Sequence, residues 1–422
     1  DFCLSRGLGD VYKRQGHWPV SRRAAWAGDT IAAMRFLKDL SVSAASAGFV
    51  AVLVGVTSSI VIVFQAAQAL GASHEQITSW VWALGVGCGL CTAVPSLLLR
   101  QPVMVAWSTP GAAMLAVSGG GFSMGEAVGA FMLCAALVAL FGVTGWFERI
   151  MDRIPLALAA GLLAGVLTRF GLQAFTAAQT ALPLVLVMLS TYLLGRRLFA
   201  RYAVPATLAV AVLFALASGR MNGMAVPMAW ALAEPVWVTP QWSLAATVSL
   251  ALPLFVVTMA SQNLPGVAAI RAAGFRMPVS RLVTLTGLAT LLLAPFGGYS
   301  LSLSAITASI CMGREAHEDP DRRYAAAVVC GIIYLCLGLF AGLVTAWIAA
   351  FPAELVAAIA GLALLGTIGN GLSVALGEPS HREAALITFL VTLSGVTIAG
   401  IGSAFWGVAA GVLALWILHR RA

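Results

Sequence analysis

A cluster of hydroxyl, proline and glycine residues interrupts an apolar stretch at 102–118, which reads PVMVAWSTPGAAMLAVS. Val103–Trp107 suits a short extended segment, and Pro110 suits the first turn of a helix with Ser108 or Thr109 as its N-cap. A helix that begins inside an apolar stretch has free backbone N–H groups and a positive dipole end at its start. These groups can bind an anion without any Lys or Arg.

A second apolar stretch, at 295–313, repeats this pattern and reads PFGGYSLSLSAITASICMG. Tyr299–Ser304 alternates apolar and polar residues as a strand does, and the following ITASI favours a helix with Ser302 or Ser304 as its cap. Two half-helices would thus direct their N-termini at one point, although the Pro and Gly residues could instead only kink packed helices. The predicted substrate-binding residues of these stretches are Ser108, Thr109, Pro110, Gly111, Tyr299, Ser302 and Ser304.

Three polar residues, Ser261, Gln262 and Asn263, lie together in another apolar stretch just before Pro265. Buried amides can orient a carboxylate or carbonyl group through neutral hydrogen bonds. Equally, they can bond across to neighbouring helices. Gln262 and Asn263 are predicted to bind the substrate.

Further candidates have stronger competing interpretations. Hydroxyls in apolar helices commonly bond their own backbone carbonyls, and aromatic rings commonly pack between helices. Arg169 is the one basic residue placed inside a span, where it captures an anion, snorkels to the surface or pairs with backbone carbonyls. The secondary candidates are Ser58, Ser59, Trp107, Ser261, Thr307 and Arg169.

No arrangement of residues suits catalysis, a metal or a cofactor. All five His lie in predicted loops or tails, and the loop GREAHEDPDRR at 313–323 is interpreted as a solvated cytoplasmic loop, with a metal site as the less favoured alternative. The apolar stretches also lack a central Asp, Glu or His. A coupled proton would therefore travel on the substrate or its water, unless Glu126, at the start of a span, lies deeper than expected.

The composition requires lipid as the solvent. Of 422 residues, 60% are hydrophobic and 9% are charged, against roughly 25% charged in soluble proteins. The apolar runs are continuous, as in helices, and do not alternate as in barrel strands. The prediction is an all-α polytopic membrane protein with spans near 43–67, 76–98, 103–118, 124–147, 154–172, 181–199, 203–218, 243–264, 280–296, 299–312, 324–350, 353–374, 383–399 and 402–419.

These fourteen spans form two sets of seven, joined by an external linker at 219–240. Because seven is odd, the second set enters the membrane inverted, as in many secondary transporters, and broken spans 3 and 10 occupy corresponding positions. Alternating the spans places every Lys and Arg except Arg169 and Arg220 in the cytoplasm, with both termini. The net charge of +8 thus reports orientation and not nucleic-acid binding. Belt residues at the two interfaces are predicted to be Trp80, Trp82, Trp237 and Trp242.

Several motifs carry a resemblance that extends over about residues 40–420. They are GFVAVLVG (48–55), VFQAAQALGAS (63–73), PVMVAWSTPGAA (102–113), TMASQNLPGVAAIRAAGF (258–275), LLAPFGG (292–298) and AITASICMGREAHEDPDRRYAAA (305–327). With these motifs the sequence resembles the benzoate:proton symporter family of bacterial inner membranes. That family is similar in fold to the nucleobase-ascorbate transporters and the sulfate/bicarbonate anion carriers.

The resemblance implies a core (transport) domain at 41–150 and 241–350 and a gate (scaffold) domain at 151–218 and 351–419, with substrate between them. Residues 1–40 are an N-terminal extension, in which 1–15 is interpreted as translated adaptor sequence and 22–38 as an interfacial helix.

The function expected from the resemblance is import of a small aromatic carboxylate, most simply benzoate, with a proton by alternating access across the bacterial inner membrane. The protein is expected to be embedded in the lipid bilayer, and a homodimer through the gate domains is expected by analogy. The alternatives are a carrier of another organic or inorganic anion or of a nucleobase-like ring, an anion channel, and a membrane-embedded enzyme.

Overall fold

The computed structural model describes residues 36–146, 156–221, 232–314, 316–396, 398 and 403–419. The chain divides into two compact units, Asp1–Asp39 and Leu40–Ala422. In the first unit only residues 36–39 are described, and they are helical. The interpretation of residues 1–15 and most of the predicted interfacial helix at 22–38 lie outside the described residues.

The second unit is built almost entirely of helices. Its first half contains α1 Val42–Ala69, α2 His74–Leu99, β1 Val105–Trp107, α3 Thr109–Ser118, α4 Met124–Val143, α5 Leu156–Thr176, α6 Ala178–Leu198 and α7 Ala203–Ala217. Its second half contains α8 Leu244–Arg271, α9 Val279–Leu293, β2 Leu301–Leu303, α10 Ile306–Cys311, α11 Tyr324–Leu339, α12 Ala341–Ala349, α13 Ala353–Gly377, α14 Arg382–Ser394 and α15 Ser403–His419. Within the described ranges, nine helices are long and apolar enough to cross a membrane. The prediction of a helical membrane protein is confirmed.

Local sequence signals explain where several helices begin. Ser73 and Ser123 are the N-caps of α2 and α4, and each forms a capping box with the residue three positions later, Gln76 or Glu126. Glu126 thus lies at the first turn of its helix, as expected. Between the two halves, the described part of the linker runs without helix or strand, and its backbone bonds to helix ends, for example from Ala233 N–H to the Leu339 carbonyl at the end of α11.

Prolines break the regularity of α8. The helix widens into π-helical turns at Thr247–Ala251 and Met259–Asn263, and Pro253 and Pro265 each follow one of these turns closely. A proline inside a helix removes one N–H donor and its ring crowds the carbonyl four residues earlier, so a widened turn relieves the conflict. The polar residues predicted to bind substrate lie in the second of these turns.

The two broken segments pair with each other. β1 and β2 are antiparallel neighbours, with Val105 opposite Leu303 and Trp107 opposite Leu301. A strand of three residues precedes a short helix in each segment, which confirms the predicted order of strand and half-helix. Extended backbone inside an apolar helical bundle must be fully hydrogen-bonded, because neither lipid nor apolar side chains offer partners.

Side chains of the surrounding helices satisfy the outer edges of the strand pair. Thr92 and Ser96 of α2 accept the N–H groups of Val105 and Val103 at 3.1 and 3.0 Å. On the other strand, Thr290 of α9 accepts the Leu301 N–H at 3.0 Å. Two hydroxyls on one side and one on the other therefore hold an extended backbone inside a helical bundle.

One tryptophan departs from its predicted place. Trp80 was expected in an interfacial belt with Trp82, Trp237 and Trp242, but it is only 2% exposed and packs on Phe131 and Tyr299. The prediction for Trp80 is wrong, because Gly297 leaves room for its indole ring against the backbone before β2. The exposed rings of Trp237 and Trp242 are compatible with the belt.

Candidate functional site

A cavity of about 580 Å³ lies where the two broken segments meet α1, α5, α8, α11 and α13. Its volume is within the range of pockets that hold small molecules. Polar residues of α1, α3, α8, α10 and α11 and of β1 line one part of the cavity, which is called the polar wall here. The polar wall consists of Ser58, Ser59, Trp107, Thr109, Ser261, Gln262, Ser304, Thr307 and Tyr334.

Hydrogen bonds and ring packing fix the inner corner of the polar wall. Trp107 Nε1–H donates to Ser59 Oγ at 3.0 Å, and the Ser59 hydroxyl donates to the Gly55 carbonyl at 2.7 Å. The Tyr334 ring lies edge-on to Trp107 with 5.7 Å between ring centroids. Ser58 also bonds the Gly55 carbonyl, so both α1 hydroxyls follow the back-bonding alternative while still facing the cavity.

The N-terminus of α3 has fewer free backbone N–H groups than the sequence pattern predicted for an open half-helix. Ser108 is the N-cap, and its Oγ accepts the Gly111 N–H at 3.0 Å. Because Pro110 has no N–H, the N–H of Thr109 is the remaining donor at this helix start. Thr109 and Pro110 line the cavity, whereas Ser108 is fully buried and Gly111 packs against Leu254.

The second broken segment contributes mainly side-chain hydroxyl groups to the cavity, and few backbone N–H groups from a helix start. α10 has only six residues, and its N-cap position is Ala305 instead of the expected Ser302 or Ser304. Ser304 Oγ still accepts the Thr307 hydroxyl at 2.8 Å, and both residues line the cavity. Ser302 is placed elsewhere, since its hydroxyl donates to the Ala106 carbonyl across the strand pair.

Tyr299 lies away from the cavity. Its side chain is fully buried between Trp80 and Phe131, at centroid distances of 5.5 and 6.0 Å. The residue belongs to the packing that precedes β2 and is not among the residues that line the cavity.

The two neighbouring amides of α8 have different surroundings. Gln262 lines the cavity with Ser261, and neither side chain has a hydrogen-bond partner within the described residues. Asn263 is fully buried, and its Oδ1 accepts the Leu303 N–H of β2 at 3.0 Å. Gln262 is therefore available to a ligand, while Asn263 bonds across to the neighbouring segment, as in the alternative interpretation of these amides.

Replacing Asn263 with leucine is expected to lower the stability of the protein. The change leaves the Leu303 N–H buried without an acceptor, which costs about 1–3 kcal/mol. Thermal unfolding in detergent checks this, with Gln262→Leu as the matched control on the adjacent residue, because its side chain has no partner to lose within the described residues. Equal melting temperatures for the two variants would contradict the role assigned to Asn263.

Charged groups are kept away from this cavity. In the part of the chain that the structure describes, its lining contains no Asp, Glu, His, Lys or Arg. Arg169 is half-buried on α5, where its Nε–H donates to the Leu393 carbonyl at 3.0 Å and its guanidinium contacts Gly395 after the end of α14. Arg169 thus pairs with a backbone carbonyl and the negative end of a helix dipole, one of the alternatives for this residue.

Two further helices, α5 and α13, complete the cavity with residues that are not among the candidates predicted from the sequence. The face of α5 from Leu156 to Leu167 and the face of α13 from Ala363 to Val374 form the α5–α13 wall. This wall is apolar except for Thr367 and Asn370. The sequence does carry a signal, because TIGN at 367–370 interrupts an apolar helix, but only tertiary packing brings it to the site.

Comparison with known proteins establishes the family. The sequence model of the benzoate membrane transport protein family matches residues 38–417. The chain belongs to this family. It is 47% identical over 373 residues to inner membrane protein YdcO of Escherichia coli (strain K12), covering 88% of this chain and 95% of that protein. It is 41% identical over 383 residues to the benzoate membrane transport protein of Acinetobacter baylyi, covering 91% and 97%.

Solved structures of two anion transporters are similar in fold to this chain at low sequence identity. The transmembrane domain of the cyanobacterial bicarbonate transporter BicA matches with a TM-score of 0.54 at 15% identity, over 91% of this chain and 97% of that chain. SLC26A9 matches with a TM-score of 0.58 at 10% identity, over 96% and 72%. The resemblance identified from the motifs is confirmed, and the chain is an integral membrane transporter and not an enzyme.

Proposed function

We propose that this chain imports benzoate together with a proton across the bacterial inner membrane by alternating access. The observation that carries the proposal is an uncharged cavity whose polar wall comes from both broken segments and the π-helical turn of α8. The benzoate membrane transport protein of Acinetobacter baylyi, 41% identical over most of both chains, supports the choice of substrate.

The proposed binding mode directs the carboxylate to the polar wall. The N–H of Thr109, the hydroxyl of Ser304 and the amide of Gln262 are neutral donors that hydrogen-bond carboxylate oxygens. The ring then lies between the aromatic side chains of Trp107 and Tyr334 and the leucines of α5. In this arrangement polar groups orient the ligand and apolar groups supply most of the contact area.

The proton is proposed to travel with the substrate. Transfer of an unpaired carboxylate into an uncharged site is costly, whereas the protonated acid, or the carboxylate paired with a bound hydronium ion, carries no net charge. No side-chain carboxylate or imidazole among the described lining residues competes for that proton. The transport cycle is therefore proposed to be electroneutral.

The proposed architecture is two inverted repeats of seven spans, with spans 3 and 10 meeting at the site. The antiparallel pairing of β1 and β2 supports this arrangement, since inverted segments meet in opposite directions. Residues 41–150 and 241–350 form the core domain, and residues 151–218 and 351–419 form the gate domain. Close packing of α5 with α13 and α14 supports the second grouping. Both termini are placed in the cytoplasm, the linker outside, and a homodimer through the gate domains.

Uptake of labelled benzoate into proteoliposomes tests the proposal. An inward proton gradient is expected to stimulate uptake to a saturable rate, and a potential clamped with potassium and valinomycin is expected to leave that rate unchanged. Uptake that ignores the gradient would refute symport. Non-saturable flux would indicate a channel, and stronger competition by inorganic anions or nucleobases than by benzoate would indicate another substrate.

A further inference from the structure

The α5–α13 wall carries two polar groups that the binding of benzoate does not use. Thr367 and Asn370 are the polar residues of this wall, and Asn370 is exposed although it lies within a membrane-spanning helix. Neither side chain has a hydrogen-bond partner among the described residues. Polar groups at membrane depth are costly unless they face a cavity and serve a ligand or water there.

The cavity is larger than benzoate requires. At the roughly 30 Å³ that each non-hydrogen atom occupies in liquid water, benzoate fills at most about 270 Å³. The cavity measures about 580 Å³. A ring anchored by its carboxylate at the polar wall therefore leaves space in the direction of the α5–α13 wall.

We propose that Thr367 and Asn370 form a subsite for a hydroxyl group on the ring, so that the chain accepts 4-hydroxybenzoate as well as benzoate. This inference rests on the proposed function, because it needs the carboxylate to lie at the polar wall. A phenolic hydroxyl both donates and accepts a hydrogen bond. The amide of Asn370 and the hydroxyl of Thr367 can each act as its donor or its acceptor. The para position points away from the carboxylate, toward the second wall.

The position of the ring hydroxyl supplies an internal control. In 2-hydroxybenzoate the hydroxyl lies beside the carboxylate, so it stays at the polar wall and does not reach Thr367 or Asn370. The subsite therefore discriminates between two isomers of the same size and composition. If ring polarity or acidity alone determined affinity, substitutions at Thr367 or Asn370 would affect the binding of both isomers alike.

Binding to the purified full chain in detergent, measured by isothermal titration calorimetry, tests the inference without depending on transport. For the wild type, the dissociation constant of 4-hydroxybenzoate is expected to lie within about threefold of that of benzoate. In Asn370→Leu and in Thr367→Val, the ratio of the two constants is expected to rise about tenfold, the effect of one lost hydrogen bond. The ratio of 2-hydroxybenzoate to benzoate is expected to stay constant.

A matched control separates the subsite from a change in the helices themselves. Thr191→Val makes the same substitution on α6, where the hydroxyl donates to the Val187 carbonyl of its own helix. This variant is expected to keep the wild-type ratio of 4-hydroxybenzoate to benzoate.

The outcomes separate this inference from the proposed function. If benzoate binds and 4-hydroxybenzoate does not, or if the ratio is unchanged in both variants, the subsite is refuted and benzoate transport stands. If neither compound binds to protein that is shown to be folded, both proposals fail. If 4-hydroxybenzoate alone binds, and does so through Asn370, the subsite stands and benzoate is the wrong substrate.

Discussion

Replacing Gln262 with leucine is expected to raise the benzoate concentration for half-maximal uptake at least about tenfold. Gln262 lines the cavity with no partner in the described protein, so its amide N–H is free to bind the carboxylate. A hydrogen bond to a charged group contributes about 1.5–3 kcal/mol, which corresponds to roughly a tenfold to hundredfold change in affinity. The measurement is the concentration dependence of labelled benzoate uptake in proteoliposomes.

The control for this variant is Gln173→Leu. Gln173 is an exposed residue of α5 that does not line the cavity, so the same substitution there is expected to leave the half-saturating concentration unchanged. A wild-type value for Gln262→Leu would remove this residue from the site. A loss of folded protein is checked separately by size-exclusion chromatography, and it is not expected, because the Gln262 side chain makes no hydrogen bond to the described protein.

Replacing Gly297 with alanine is expected to destabilise the protein strongly. Gly297 has φ of 91°, a left-handed conformation that alanine adopts only with strain, and a Cβ at this position would overlap the indole of Trp80. The indole cannot easily move, because it packs on Phe131 and Tyr299. The strain of a left-handed residue and the forced displacement of a packed ring together cost about 2–5 kcal/mol.

The melting temperature of Gly297→Ala in detergent is expected to lie clearly below those of the wild type and of Gly120→Ala. Gly120 is a suitable comparison because a Cβ there has no neighbour within 4 Å and its φ is not left-handed. A melting temperature for Gly297→Ala equal to that of Gly120→Ala would show that the segment before β2 can relax around the added methyl group.

Local sequence patterns predicted the broken segments but not the direction of each side chain. Pro110 after two hydroxyl residues predicted a helix start, and Ser108 is its N-cap. The alternation of apolar and polar residues from Tyr299 predicted the strand that β2 forms. Both patterns depend on residues close in sequence, so they are readable without knowledge of the fold.

Contacts between segments distant in sequence determine which candidate residues face the cavity and which pack elsewhere. Gln262 and Asn263 are adjacent and chemically alike, yet only the geometry of the π-helical turn places one in the cavity and the other against β2. Tyr299 was predicted as a ligand because it begins the extended part of the second broken segment, but the positions of Trp80 and Phe131 determine its surroundings. Asn370 went unnoticed because nothing near it in the sequence indicates which helices face α13.

The pairing of β1 with β2 has a consequence for how substrate range diverges. Main-chain hydrogen bonds define this strand pair, and such bonds do not depend on the identity of most side chains. Chains of only 10–15% identity share the fold with this one. The backbone frame of the site can therefore stay intact while the side chains that line the cavity vary.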